Sequence, residues 1–160
     1  MKKYIVAICL AMGACIASAE QVTLSGHQLN VKDLECRRGF CTGFFNDDNG
    51  FKWAVLAKQN NSAFVNLIRF DQFKATRAWI MTVEPKSSKK EIKSNLIGVD
   101  VDCSSFTARI VHVSVYDTFF CKGKSKQRSE EIRDPFVPTP GSPVEVASGL
   151  VCTRLKQNGS

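Results

Sequence analysis

The chain has 160 residues, seven cysteines and 22 Lys+Arg against 15 Asp+Glu, a formal charge of +7, with 44% apolar residues. That length suits one domain with a core of its own, and the apolar share excludes a disordered chain. Only the first twenty residues hold a long apolar run, which excludes a polytopic membrane protein, and the length excludes a large two-domain cofactor enzyme.

The N-terminus reads Met1-Lys2-Lys3, then an apolar stretch from Ile5 to Ile16, then Ala17-Ser18-Ala19. A cationic start, a short apolar centre and an A-x-A exit predict a secretory signal peptide, cleaved after Ala19. The apolar span is shorter than the roughly 20 residues a spanning helix needs, so no transmembrane helix is expected. A competing reading takes Met12-Gly13-Ala14 before Cys15 as a lipoprotein box with lipidation at Cys15, but Met is a poor residue where Leu is usual. Loss of residues 1–19 removes Lys2, Lys3, Cys9 and Cys15, so the formal charge falls from +7 to +5. Cys36, Cys41, Cys103, Cys121 and Cys152 remain for an oxidising periplasm or cell surface. Five is odd, and two disulfides with one thiol left over are expected.

Period-two alternation dominates the rest of the chain. Asn46-Asp47-Asp48-Asn49-Gly50 ends in an Asn-Gly hairpin signal. Trp53, Val55 and Ala57 then point one way until Asn60-Asn61, and Ala63, Val65 and Leu67 oppose Phe64, Ile68 and Phe70. Trp79, Met81 and Val83 alternate with Ala78, Ile80 and Thr82 until Pro85. Ile97, Val99 and Val101 alternate with Gly98, Asp100 and Asp102, and Val111, Val113 and Val115 with Ile110, His112, Ser114 and Tyr116. These are half-buried strands spaced for antiparallel neighbours, with no βαβ spacing and no internal repeat. Ser142-Pro143-Val144-Glu145 combines an N-cap Ser, a first-turn Pro and a third-position Glu, which predicts a helix start. Val144, Ala147 and Val151 recur at helical spacing, so a short C-terminal helix ending at Cys152 lays its stripe on the sheet. The fold class is α+β: a mainly antiparallel sheet, disulfide-stapled, with one helix packed on it.

Cys103 continues the inward phase of Ile97, Val99 and Val101, so a bridge to Cys152 would clamp the helix to the sheet. Cys36-Arg37-Arg38-Gly39-Phe40-Cys41 can close a tight hairpin with Gly39 in its bend, which leaves Cys121 free. Exchange of Cys36 or Cys41 with Cys121 stays open. Metal is not expected, because zinc sites use tighter paired spacings and recruit histidine, and neither His27 nor His112 is near in sequence. No cofactor motif occurs.

Catalysis is not supported. His112 shares a strand face with Ser114 and Tyr116, opposite the valines, which predicts a solvent-facing ring rather than a base. Asp100 and Asp102, about 7 Å apart on one strand face, are also expected to face water. Two basic runs remain, Lys86–Lys93 and Lys122–Arg128, both where strands end. They lack the interleaved aromatics of nucleic-acid binders, so no nucleic-acid partner is expected. Lys122, Lys124, Lys126 and Arg128 are the candidate binding residues, suited to an acidic protein or sulfated glycan partner.

The order of several segments carries a resemblance: Trp53, Phe64-Val65-Asn66-Leu67, Arg77-Ala78-Trp79-Ile80-Met81, Val99-Asp100-Val101-Asp102-Cys103, Arg109 and Tyr116-Asp117, then Phe136 to Glu145 with Cys152 closing. Over roughly residues 50–153 the chain resembles the surface-adhesin protein E (Adhesin E) domain family of Gram-negative bacteria. The resemblance implies an antiparallel sheet with a C-terminal helix and a disulfide that maps onto Cys103 and Cys152. It also implies a non-enzymatic, secreted or outer-membrane-associated protein, the best-known members binding host extracellular-matrix and serum proteins. A basic loop after the Tyr-Asp strand looks like Lys122–Arg128. Residues 20–49, with Cys36 and Cys41, lie outside the shared pattern as an N-terminal extension of a single domain spanning 20–160, and Cys121 is an extra. A typical lipoprotein start is also absent. The expected function is an adhesin-like binding module that recognises a macromolecule through a sheet face and basic loops. The alternative is a periplasmic accessory component of an envelope assembly that holds a bacterial partner protein.

Overall fold

A computed structural model describes residues 20–24, 27–37, 40–47, 50–58, 65–129 and 134–158. The expected signal peptide, the Cys15 alternative, Arg38-Gly39, Asp48-Asn49 and the segment from Asn60 to Phe64 lie outside the described residues. Among the described residues nine strands run in chain order: β1 (Glu20–Leu24), β2 (His27–Arg37), β3 (Phe40–Asn46), β4 (Lys52–Lys58), β5 (Val65–Phe70), β6 (Arg77–Val83), β7 (Ser94–Asp102), β8 (Thr107–Tyr116) and β9 (Gln127–Ser129). Each pairs antiparallel with the next, so the sheet is a meander in which sequence neighbours are spatial neighbours. A 3-10 turn (Phe119–Cys121) follows β8, and helix α1 (Pro143–Asn158) closes the chain.

The central strands bury both faces, which is why their alternation sets apolar against apolar rather than apolar against polar. On one face Ile68, Ala78, Ile80, Val99 and Val101 meet Ala147, Val151 and Cys152 of α1. On the other, Trp53, Val55, Leu67, Met81 and Val83 pack with Val31 of β2 and Phe45 of β3, and Phe119, Phe120 and Cys121 lie against them. Leu67, Val31 and Val83 are fully buried, and each such side chain contributes about 1.5–3 kcal/mol of transfer free energy. The segment outside the shared pattern therefore supplies strands and core residues to the same sheet.

The helix begins where its cap residues predict. Ser142 Oγ accepts the Glu145 N–H at 3.2 Å, and Glu145 Oε2 reaches back to the N–H of Gly141 at 2.8 Å. The expected end at Cys152 is wrong: α1 continues through Asn158. Arg154, Leu155, Lys156 and Gln157 are all good helix formers, and Leu155 keeps the apolar stripe in contact with the core.

A one-residue bulge alters β8. Gly98 pairs with His112 but Val99 pairs with Ile110, so Val111 has no partner across the ladder. The bulge parts Ile110 from His112 and Ser114, which lie on the face opposite α1, where Ser114 is only 2% exposed. His112 is half-buried, its ring edge-on to Trp79 at 5.3 Å. The solvent-facing placement of His112 and Ser114 is thus corrected. Asp100 is corrected too: its carboxylate receives Arg77 Nε and Lys74 Nζ, each at 2.6 Å. Burial alone would push the Asp100 carboxyl up, but these two cations hold it below the usual carboxylate range.

Asp102 stays exposed and works as a turn residue. Ser104 donates its Oγ and N–H to Oδ1, and Ser105 donates its Oγ to Oδ2. The Ser104 bonds lead in holding its carboxyl down to about 2. A group whose folded value is depressed contributes stability above its unfolded value and loses it as pH falls through the folded one. We expect the Asp102 carboxyl resonance to titrate near pH 2 by NMR, and Ser104→Ala to move that midpoint up towards the ordinary value. An unchanged midpoint in Ser104→Ala removes the serines as the cause.

Candidate functional site

The site is a cleft between β2 and the loop that follows β8. It encloses about 980 Å³, bounded by Gln28, Leu29 and Asn30 on one side, Phe45 and Met81 at the base, and Thr118 to Gly123 on the other. The loop wall is locally costly. Phe120 and Cys121 are consecutive non-glycine residues at φ +59° and +52°, a left-handed conformation that disfavours bulky side chains and costs on the order of 1–3 kcal/mol each. Ser94, 1% exposed, holds the turn: its Oγ donates to Thr118 O at 2.6 Å and accepts the Cys121 N–H at 2.9 Å. The result fixes the Phe120 ring edge-on to Phe45, centroids 6.4 Å apart.

Cys121 is the free thiol among the described cysteines. Burial pushes it up to about 11 against the opposing Ser94 contact, so it is protonated and unreactive at neutral pH. The Cys103–Cys152 disulfide is formed and ties the end of β7 to α1 across a separation of 49 residues. Cys36 and Cys41 are opposed as Cα partners in the β2–β3 ladder, while their side chains lie outside the described residues.

Of the candidate basic residues, Lys122 alone is among those that line this cleft. Lys124 follows in the exposed loop. Lys126 is tied down by Glu91 at 3.0 Å and Asp117 at 3.3 Å, and these two partners hold its ammonium above its usual range. Arg128 sits on β9 opposite Ser114 of β8. In the other basic run Lys90 pairs with Glu84 at 3.2 Å, and Lys93 donates to Ser88 O. Lys93 Nζ also lies 5.8 Å from the Phe119 ring centroid. Charge runs are visible in a sequence; the acids that neutralise them across loops are not.

A cluster that sequence reading missed borders the cleft. The Arg69 guanidinium lies 4.0 Å from the ring centroid of Phe51, 5.1 Å from Trp53 and 5.8 Å from Trp79. Trp53 Nε1 donates to Asp47 Oδ2 at 2.8 Å, and Trp79 Nε1 to Asp71 Oδ2 at 2.7 Å. Burial lowers the Arg69 value against the pull of Asp47 and Asp71. For Asp71 burial acts upwards, but the Trp79 indole and the N–H groups of Phe73 and Lys74 outweigh it and hold the carboxyl low. The cluster braces two turns onto the sheet, and the only advance signal was an aspartate in the turn preceding each tryptophan strand.

A buried serine–histidine contact is present on β8. His112 Nε2 lies 2.6 Å from Ser114 Oγ, and Ser114 is buried. Among the described residues no three His, Cys, Asp or Glu side chains gather as a metal site, and no helix is long and apolar enough to cross a membrane.

The family model for surface-adhesin protein E matches residues 54–153. No curated protein and no solved structure matches the chain.

Proposed function

The chain belongs to the surface-adhesin protein E family, and from that premise we propose that it is an exported, non-enzymatic binding module holding a macromolecular partner where the Lys122–Arg128 segment meets the cleft. The family itself points to an adhesin-like binding role, to a surface or exported location and away from catalysis. One observation carries the choice of site: Lys122 lines the cleft beside the aromatic wall that Ser94 fixes in place, and the exposed Lys124 follows two residues on. A rigid apolar wall with cations at its mouth suits a partner that is acidic and extended. In this reading residues 1–19 are the signal peptide, cleaved after Ala19, and the partner is a host matrix or serum protein or a sulfated glycan.

Binding of the purified protein to immobilised matrix proteins and to heparin tests this reading. Binding at low salt is expected, weakening steeply as salt rises. Lys122→Glu, Lys124→Glu and Arg128→Glu combined should lower affinity by about tenfold or more, roughly 1.4 kcal/mol. Unchanged affinity in that variant removes the loop from the site. Protease shaving of intact cells addresses location: protection, together with a stable envelope partner, favours the accessory role in place of adhesion.

A further inference from the structure

We propose that the helix-side face of β3 to β5 is a second docking surface, on the other side of the sheet from the cleft. Its occupant is an amphipathic helix of a partner protein, with an apolar stripe flanked by carboxylates.

The chain leaves part of this face uncovered. Helix α1 packs on β5 to β8, where Ile68 and Ala78 are buried beneath it. Cross-strand partners share a face. Phe44 opposes Ala54 and Ala54 opposes Ile68, so this row continues past the edge of the helix onto β4 and β3. Burial along β3 agrees: Thr42, Phe44 and Asn46 are exposed, while Gly43 and Phe45 are buried. Phe44, Ala54, Ile68 and Phe70 line a groove of about 430 Å³, and Phe44 is 38% exposed. The flank of α1 borders it, since the Arg154 guanidinium lies 4.6 Å from the Phe70 ring centroid. Leu150, one turn earlier on that same flank, is 39% exposed.

Dimensions favour a helix as the occupant. Three strands spaced about 4.8 Å apart span about 10 Å. That is close to the diameter of a helix and to the distance at which two helices pack side by side. The bare strip beside α1 is thus one helix wide, with Leu150 facing it from one side and Phe44 from below. An extended peptide fits less well, because β3 and β4 each have a strand on both sides and offer no free backbone edge.

Charge fixes the flanks of the partner. Lys52 Nζ lies 4.2 Å from the Phe44 ring centroid, and Lys32 opposes Phe44 from β2. Among the described residues Lys32, Lys52 and Arg154 have no carboxylate partner. Lys74, Arg77, Lys90 and Lys126 each have one. No Asp or Glu lines the groove, and Asp33 and Glu35 of β2 lie outside its lining. Carboxylates on either side of an apolar stripe would meet these three cations, which sets orientation and excludes basic helices.

The probe is a synthetic helix of about 18 residues, with leucines at i, i+3, i+4 and i+7 spacing and glutamates on both flanks. A counterpart carries lysines in place of the glutamates. Binding to the purified protein is followed by calorimetry and NMR shift mapping. The glutamate helix should shift Phe44, Ala54, Phe70 and Leu150, and the lysine helix should bind at least about tenfold more weakly. Phe44→Ala and Leu150→Ala should each weaken the glutamate helix by about tenfold. Both side chains are exposed, so the thermal midpoint of these variants should match the parent. Lys52→Glu combined with Arg154→Glu should weaken it further and reverse the preference towards the lysine helix. No binding of the glutamate helix, equal binding of the lysine helix, or shifts confined to the 118–123 loop overturns the inference. Shifts at Phe44 and Leu150 that grow with protein concentration alone give the face to a second copy. Binding of phosphatidylglycerol vesicles that is lost in Phe44→Ala, without binding of the glutamate helix, gives it to lipid. Either result overturns the helical partner.

Discussion

Replacing Cys103 and Cys152 together by alanine should lower the unfolding free energy by about 2–4 kcal/mol, with a fall of about 10 °C in Tm. The bridge closes a separation of 49 residues and holds α1 against β5–β8, so its loss frees a long segment of the unfolded chain. Alanine is the informative substitution, because a serine at buried position 152 would add a hydroxyl to an apolar cluster. Reduction of the unmodified protein should produce a similar loss. The double variant supplies a second reading: any remaining sensitivity to reductant reports a Cys36–Cys41 bridge, which we propose on the opposition of their α-carbons in the β2–β3 ladder. A double variant as stable as the parent means the helix is held by apolar contact alone.

The second large effect is expected at Trp79. Its indole donates to Asp71 Oδ2, its ring takes the edge of His112 and forms one side of the Arg69 enclosure. Trp79→Ala removes all three and should cost about 3–4 kcal/mol in urea unfolding. Trp79→Phe keeps much of the ring but deprives Asp71 of its donor, a loss of about 1–2 kcal/mol. Gly98 completes the arrangement from β7. A Cβ there would lie 3.1 Å from both His112 Cβ and Trp79 Cζ3, so Gly98→Ala should cost about 1–3 kcal/mol by forcing the rings apart. A cost for Trp79→Ala below about 1 kcal/mol would show that the enclosure is not a unit of the core.

Strong local signals made β4 to β8 legible from sequence. Trp79, Met81 and Val83 keep a strict phase, and Ser142 with Pro143 and Glu145 marks a helix start that the structure reproduces. The phase of Val99 and Val101 also carried Cys103 to the helix side, where it meets Cys152. The bulge at Val111 was not legible, since one unpaired residue in an apolar run leaves no mark on composition; it parts Ile110 from His112 and Ser114, and the face these two keep, opposite the helix, is covered by a second apolar cluster that no local pattern announces. The hairpin at Cys36–Cys41 and the turn at Asn46–Gly50 were legible and join β2 to β3 and β3 to β4, but β1 and the length of β2 were hidden for a different reason: His27–Arg37 mixes charge and apolar residues and contains Asp33 at φ +53°, which breaks the alternation. The cleft and the Arg69 enclosure draw on residues from four or five separate elements. Their chemistry exists only once the sheet has formed, so the basic run alone pointed towards the rim.

The meander order has a consequence for how the protein acquires its structure. Each described strand pairs with its neighbours in sequence, so pairing can proceed hairpin by hairpin from the first residues that become available. Such short-range topology favours rapid folding and limits the time that unpaired edges stay open to aggregation. Helix α1 is the exception. It lies last in the chain but covers strands formed well before it, and Cys103 must wait for Cys152 to arrive. The face of β5–β8 destined for the helix is therefore the last apolar surface to be shielded, and a chain shortened before residue 152 should be the species most prone to self-association.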